Sequence, residues 1–481
     1  MASKKTLNAK NLETLGAARL AELLIEISSG DATAKRRLRL ELAGTFSPKE
    51  AAREIRKRIT QIGRAQSFVD WRKRRALIKD LDAQRHAIVE KVMLDDPAEA
   101  LDLMWRFLAL ANPVFGRCDD SSGTVIHVFH TAVENLAEIA AAASPAPDIL
   151  ADRMFTALQD NGYGQYDDLI ATLVPVLGET GLAHLKTLVE ALDQAPVTQP
   201  AKDEEDIIGW GSDGPVYARE IAETSRKSTV DMALRDIADA QGDVDAYLAR
   251  YDAKTRRLPG IAASIATRLL AADRAEEALE ILEAAETDGR RWVPQDWHHT
   301  RLEVLEGLGR GEEAQEQRWS EFERQLSTDD LRAFLKRLPD FEDVEAEDRA
   351  LDHAGRHPDL LLALSFLIQW PAHDRAAALI LERSEELDGN HYEYLSPAAD
   401  ALSERHPLAA TCLLRAMIDF TLNDARSSRY KHAARHLVDC VELAARIEDY
   451  GVVSPHDDYL ADLRTRHFRK SGFWARVGEL L

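Results

Sequence analysis

Residues 261–285, IAASIATRLLAADRAEEALEILEAA, constrain what this chain can fold into more than any other stretch. Ile265, Leu269 and Ala272 recur at helical spacing on a first arm, and Ala278, Leu282 and Ala285 on a second. Between them AADRAEEA puts short and polar residues where two antiparallel helices must reverse. Such a hairpin cannot bury its apolar face alone, so it requires neighbours of the same kind. ADRAEEAL, from Ala272, returns as LGRGEEAQ, from Leu308, at an offset of 36 residues, close to the roughly 34-residue period of tetratricopeptide (TPR) helix pairs. Looser echoes start at Trp370 and Arg405 without a strict period. The expected fold class is therefore all-α: an irregular, TPR-like helical-hairpin solenoid with an N-terminal helical domain.

Composition agrees with this reading. Only 24 Gly and 17 Pro occur in 481 residues, below average usage, while Ala, Leu, Glu and Arg, all strong helix formers, dominate. Ser47-Pro48 with Glu50 forms a capping box, and the helix it starts has Ala52, Ile55, Ile59 and Ile62 on its apolar side. The next helix continues the pattern with Trp71, Leu77, Ile78 and Leu81, and Asp96-Pro97 opens an apolar helix that Asn112-Pro113 is expected to end. The polar connector DQAPVTQPAKDEED, 193–206, is followed by IIGWGSDGPVY, read as a loop or short turn because of its glycines and Pro215. The expected domains are 1–192, helical with a basic head, 193–218, the connector, and 219–481, the helical-repeat domain.

The net charge of -22 is uneven. Residues 31–91 hold 17 Lys and Arg against 8 Asp and Glu, whereas residues 92–481 hold 40 against 72. A basic head can meet an anionic partner, or the acidic body of a second copy, while the body repels nucleic acid and anionic membrane. The candidate binding residues are Arg53, Arg56, Lys57, Trp71, Arg72, Lys73, Arg74 and Arg75, several cations beside one aromatic. The competing reading, which the spacing favours, is a solvated face with internal ion pairs to Asp70, Asp80 and Asp82. Cys118, Cys412 and Cys440 are too far apart for a disulfide framework and suit a reducing compartment. No apolar run of 18 residues and no signal-peptide h-region is present, so the expected location is the cytoplasm, without membrane.

No catalytic motif is found, neither G-x-S-x-G nor H-E-x-x-H, and GLGRGE, 307–312, lacks the strand and the Gly-Lys-Ser/Thr of a phosphate loop. Two sets of residues have the side-chain types of a metal site. His432, His436 and Cys440 share one helical face, but two turns spread them over roughly 12 Å at 1.5 Å per residue, which favours packing over coordination. His127, His130 and Glu134 resemble half of a bundle metal site without its complementary helices. The DDSSG turn, 119–123, reads as a helix cap rather than an ion cradle. No metal and no cofactor is expected, and no enzymatic activity.

The phrases LRDIADAQGDVDAYLARY, TRLLAADRAEEALEILEAA, RYKHAARHLVDCVELAARIEDYG and HDDYLADLRTRHFRKSGFWARV together resemble an uncharacterised bacterial family of all-helical proteins of the domain-of-unknown-function kind. The C-terminal half is similar to the helical part of SWIM zinc-finger proteins. The resemblance implies a helical fold and no known activity. The Cys-x-Cys and Cys-x-His zinc ligands of SWIM proteins are absent from this chain, so their zinc-dependent role does not transfer. The sequence thus points to a non-enzymatic scaffold that binds a protein partner through stacked hairpins. The alternative is a nucleic-acid-associated regulator using the basic helices of residues 49–85, and self-association is compatible with the charge asymmetry.

Overall fold

The computed structural model describes residues 7–196, 207–211, 214–287 and 293–480. It is an all-α fold of successive antiparallel helices, in which the described strands are one short antiparallel pair, Ile207–Gly211 with Gly214–Tyr217. Two compact units divide the chain, Met1–Arg291 and Trp292–Leu481, and residues 197–206 and 212–213 of the expected connector at 193–218 lie outside the described residues. Its glycine-rich stretch pairs as a ribbon rather than staying a loop. Ile207, Trp210, Val216 and Tyr217 are residue types that favour extended backbone, and the glycines are gathered near the reversal.

In the first unit, Pro48–Gly63 starts at Ser47 as expected, but through a simple cap instead of the reciprocal box: the Ser47 hydroxyl accepts from the Lys49 amide at 3.2 Å. Ala52, Ile55, Ile59 and Ile62 all face a core shared with Leu81, Ile88, Phe107, Phe129 and Leu136. Trp71–Ala87 is capped by Asp70, whose carboxylate accepts from the amides of Arg72 and Lys73. Trp71 itself departs from the expected apolar stripe. It is the first residue of its helix, where no preceding turn covers it, and it is 67% exposed. Pro97–Leu108 ends before Asn112-Pro113, which lie inside a separate short helix, Ala111–Phe115, because proline is tolerated in a first helical turn. Leu169–Gln194 is kinked at Gly178, where φ is +62°, and packs against Ala218–Gln241.

The second unit is an irregular solenoid in which helices pack on those one or two places away in sequence. Gln295–Gly307 pairs with Gly311–Gln325, Leu360–Gln369 with His373–Glu382, and Tyr392–Leu402 with Pro407–Asn423. Phe322, Phe366, Leu367, Ile380, Leu413 and Ile418 form its core.

The repeat is most regular at the turns. In the hairpin Pro259–Ala271/Ala275–Glu283, Asp273 adopts φ +58° and the Arg274 amide donates back to the Leu269 carbonyl at 2.9 Å. Thirty-six residues on, Gly309 adopts φ +72° and the Arg310 amide donates to the Leu305 carbonyl at 2.9 Å. The same helix-ending loop recurs at Gly242, where Asp243 reaches Ala238, and at Ala425, where Arg426 reaches Thr421. Each of the two echoing turns is also braced by a forked ion pair, Arg274 with Glu277 and Arg310 with Glu313, at 2.5–2.7 Å.

Candidate functional site

A cleft of about 620 Å³ opens between Gly311–Gln325, Thr328–Leu335 and Glu342–Arg356 in the second unit. Its apolar floor is Trp319, Phe334 and Leu338. The rings of Trp319 and Phe334 lie 5.2 Å apart, and the Arg349 guanidinium sits 3.9 Å above the Trp319 ring. The Trp319 indole is held by donating to the Glu323 carboxylate at 2.6 Å. One wall is a network centred on Glu306, which pairs with the buried Arg318 and, at 2.8 Å, with Arg337. Burial alone would raise the Glu306 carboxyl, but the two guanidiniums outweigh it and hold it below its ordinary range. The other wall carries Glu312 and Glu316, exposed and without an ion-pair partner among the described residues. Sequence reading missed this cleft. Its residues come from four helices, and only the clustering of Trp319, Phe322 and Phe334 hinted at it.

The eight sequence-predicted residues of the basic head do not converge on one site. Arg53 and Lys57 are exposed, and Arg56 is ion-paired with Glu99. Arg72, Lys73 and Arg75 are exposed around Trp71, with the Arg72 guanidinium 5.2 Å from the Trp71 ring, while Arg74 donates to the Asp119 carbonyl at 3.1 Å. Of the three expected carboxylate partners, Asp80 binds Arg58 through its Nε at 3.0 Å, Asp82 binds Arg85, and Asp70 serves as a helix cap.

Cys440 is fully buried in the second core, and burial pushes its thiol up to about 12. His432, exposed, and His436, lowered by burial and by His432, both line a recess of about 250 Å³ that does not include Cys440. His127 and Glu134 are exposed, whereas the His130 Nε2 donates to the Gly164 carbonyl at 3.0 Å. Among the described residues no group of three His, Cys, Asp or Glu is arranged to hold a metal ion. In the DDSSG turn the Asp120 carboxylate accepts from the amides of Val125 and Ile126 at 2.9–3.0 Å, capping Ile126–Ala143. The GLGRGE stretch is the hairpin turn described above. No described helix is long and apolar enough to cross a membrane.

No curated protein matches the chain. Among solved structures it is similar to a circular tandem repeat protein with novel repeat topology and enhanced subunit contact surfaces. That match is at 14% identity over 96% of this chain and 92% of the other, with a TM-score of 0.13 that carries no argument. A sequence model of one family, described only as of unknown function, matches residues 2–476, and the chain therefore belongs to the family of unknown function DUF6880.

Proposed function

We propose that the protein is a non-enzymatic, cytoplasmic scaffold whose stacked hairpins bind a protein partner. The observation that carries this reading is the cleft at Trp319, Phe334 and Leu338, because aromatic side chains and arginine gathered in one recess are what protein interfaces use as anchors. Its unpaired acidic wall, Glu312 and Glu316, selects a segment that carries Lys or Arg beside a large apolar residue. Panning a random peptide display library on the immobilised full chain tests it. Peptides pairing a basic with an apolar residue should be enriched, and the double substitution Glu312→Lys/Glu316→Lys should weaken them roughly tenfold, about 1.4 kcal/mol. Enrichment of no sequence class, or binding indifferent to the two substitutions, sinks the proposal.

A second reading has an observation of its own. Phe68 and Trp71 are 63% and 67% exposed next to Arg72, Lys73 and Arg75, an arrangement that can stack bases while neutralising phosphates. In that reading the protein is a nucleic-acid-associated regulator. A single-stranded oligonucleotide should then bind with steep salt dependence, and Arg72→Ala/Lys73→Ala/Arg75→Ala should flatten that dependence. An unchanged salt slope removes it.

A further inference from the structure

Three helices of the first unit surround a recess of about 280 Å³ that neither reading uses. Ala32–Phe46 supplies Lys35, Arg36 and Arg39, and Pro48–Gly63 supplies Lys57 and Arg58, with Glu54 as the one carboxylate lining it. Positions 54, 57, 58 and 61 are i, i+3, i+4 and i+7 of one helix, so a single face is turned to the recess. Behind the wall, the buried Asp80 engages Arg58 and, at 3.8 Å, Arg36. That carboxylate fixes two guanidiniums in place and neutralises one charge. Lys35, Arg39 and Lys57 have no carboxylate partner among the described residues. The remaining wall is Gln84 of Trp71–Ala87, 5% exposed as a residue, whose side-chain amide makes no hydrogen bond to another described residue and is not sealed from solvent.

A solvated basic helix face explains the three exposed cations, but it does not explain their convergence on one concave recess with the Gln84 amide in its lining. Like charges lining one recess repel one another, and a guest that relieves this repulsion can also accept from the amide. That guest must be an anion with several charged oxygens, able to accept from ammonium, guanidinium and amide donors together. The volume is just below the roughly 300–1,000 Å³ of ordinary small-molecule sites, which suits a short phosphate chain. We infer that this recess binds a small, multiply charged phosphate-bearing anion. The inference is independent of the peptide cleft.

Titration of the full chain with tripolyphosphate, at near-physiological ionic strength to screen diffuse surface attraction, provides the test. Saturable one-to-one binding is expected, weakened roughly tenfold or more by Lys35→Glu/Arg39→Glu and by Gln84→Glu. Circular dichroism melts of both variants should match the parent, and Arg72→Ala/Lys73→Ala/Arg75→Ala should leave affinity unchanged. A single-stranded oligonucleotide run in parallel separates free phosphate chains from nucleic-acid backbone. Absence of saturable tripolyphosphate binding, indifference to the Lys35/Arg39 reversal, or dependence on the recess by the oligonucleotide alone would each overturn the inference.

Discussion

Asp236, within Ala218–Gln241, carries a carboxyl that burial, with the nearby Asp239, Asp167 and Asp168, pushes up to about 6 despite the opposing Arg235. A carboxyl raised in the folded state is protonated more readily there than in the unfolded chain. Its contribution to stability is whole below the unfolded value near 3.8 and lost as pH rises through about 6. Asp236→Asn should therefore stabilise the protein at pH 8, by roughly 1–2 kcal/mol, and change nothing at pH 3.5. Urea midpoints of the two proteins at each pH check this, and an equal gain at both would show that charge is not the cause. Individual residues also mark the limit of sequence reading. Ile55 and Ile59 were legible as core because helical spacing puts them on one face. The role of Asp80 was legible only as a charge near arginines. Its engagement of both Arg36 and Arg58 depends on how the helices holding those arginines fold against its own, which periodicity does not encode.

The hairpin is the element that explains the repeat. What the echoing units share is a turn in which one residue takes a left-handed conformation and the following amide closes back on the helix. At the first turn that residue is Asp273 and at the second Gly309, although only glycine adopts the conformation freely. Asp273→Gly should raise stability by roughly 0.5–1 kcal/mol, and Gly309→Ala should lower it by a similar amount. A side chain at Gly309 would meet nothing within 4 Å, so the second loss is purely a backbone effect. Thermal melts of the two variants moving in the same direction would contradict this account. The ADRA/LGRG match was readable because turn chemistry is local. The later units were not, because the left-handed position there is Ala425, with Asn423 and Asp424 standing before it, so the turn residue itself carries no signal. The ribbon of residues 207–217 was missed for the opposite reason: its glycines read as punctuation while the residues flanking them favour strand.

At the scale of the whole molecule, both units are organised around helix-on-helix cores, and each has a recess with a chemistry of its own. The second unit's cleft is aromatic with an acidic wall, and the first unit's recess is basic. The charge asymmetry that the sequence displays thus appears locally as a basic recess within residues 31–91 and an acidic wall in the second unit. The cleft could not be read in advance, since Trp319, Phe334 and Arg349 are brought together only when three successive helices stack. The central claim, that stacked hairpins form a protein-binding surface, is tested most directly by hydrogen–deuterium exchange of the full chain with and without an enriched basic–apolar peptide. Protection should be confined to the backbone around 311–319, 334–338 and 349, and should vanish in Glu312→Lys/Glu316→Lys. Protection elsewhere in the chain, or none anywhere at saturating peptide, would contradict it.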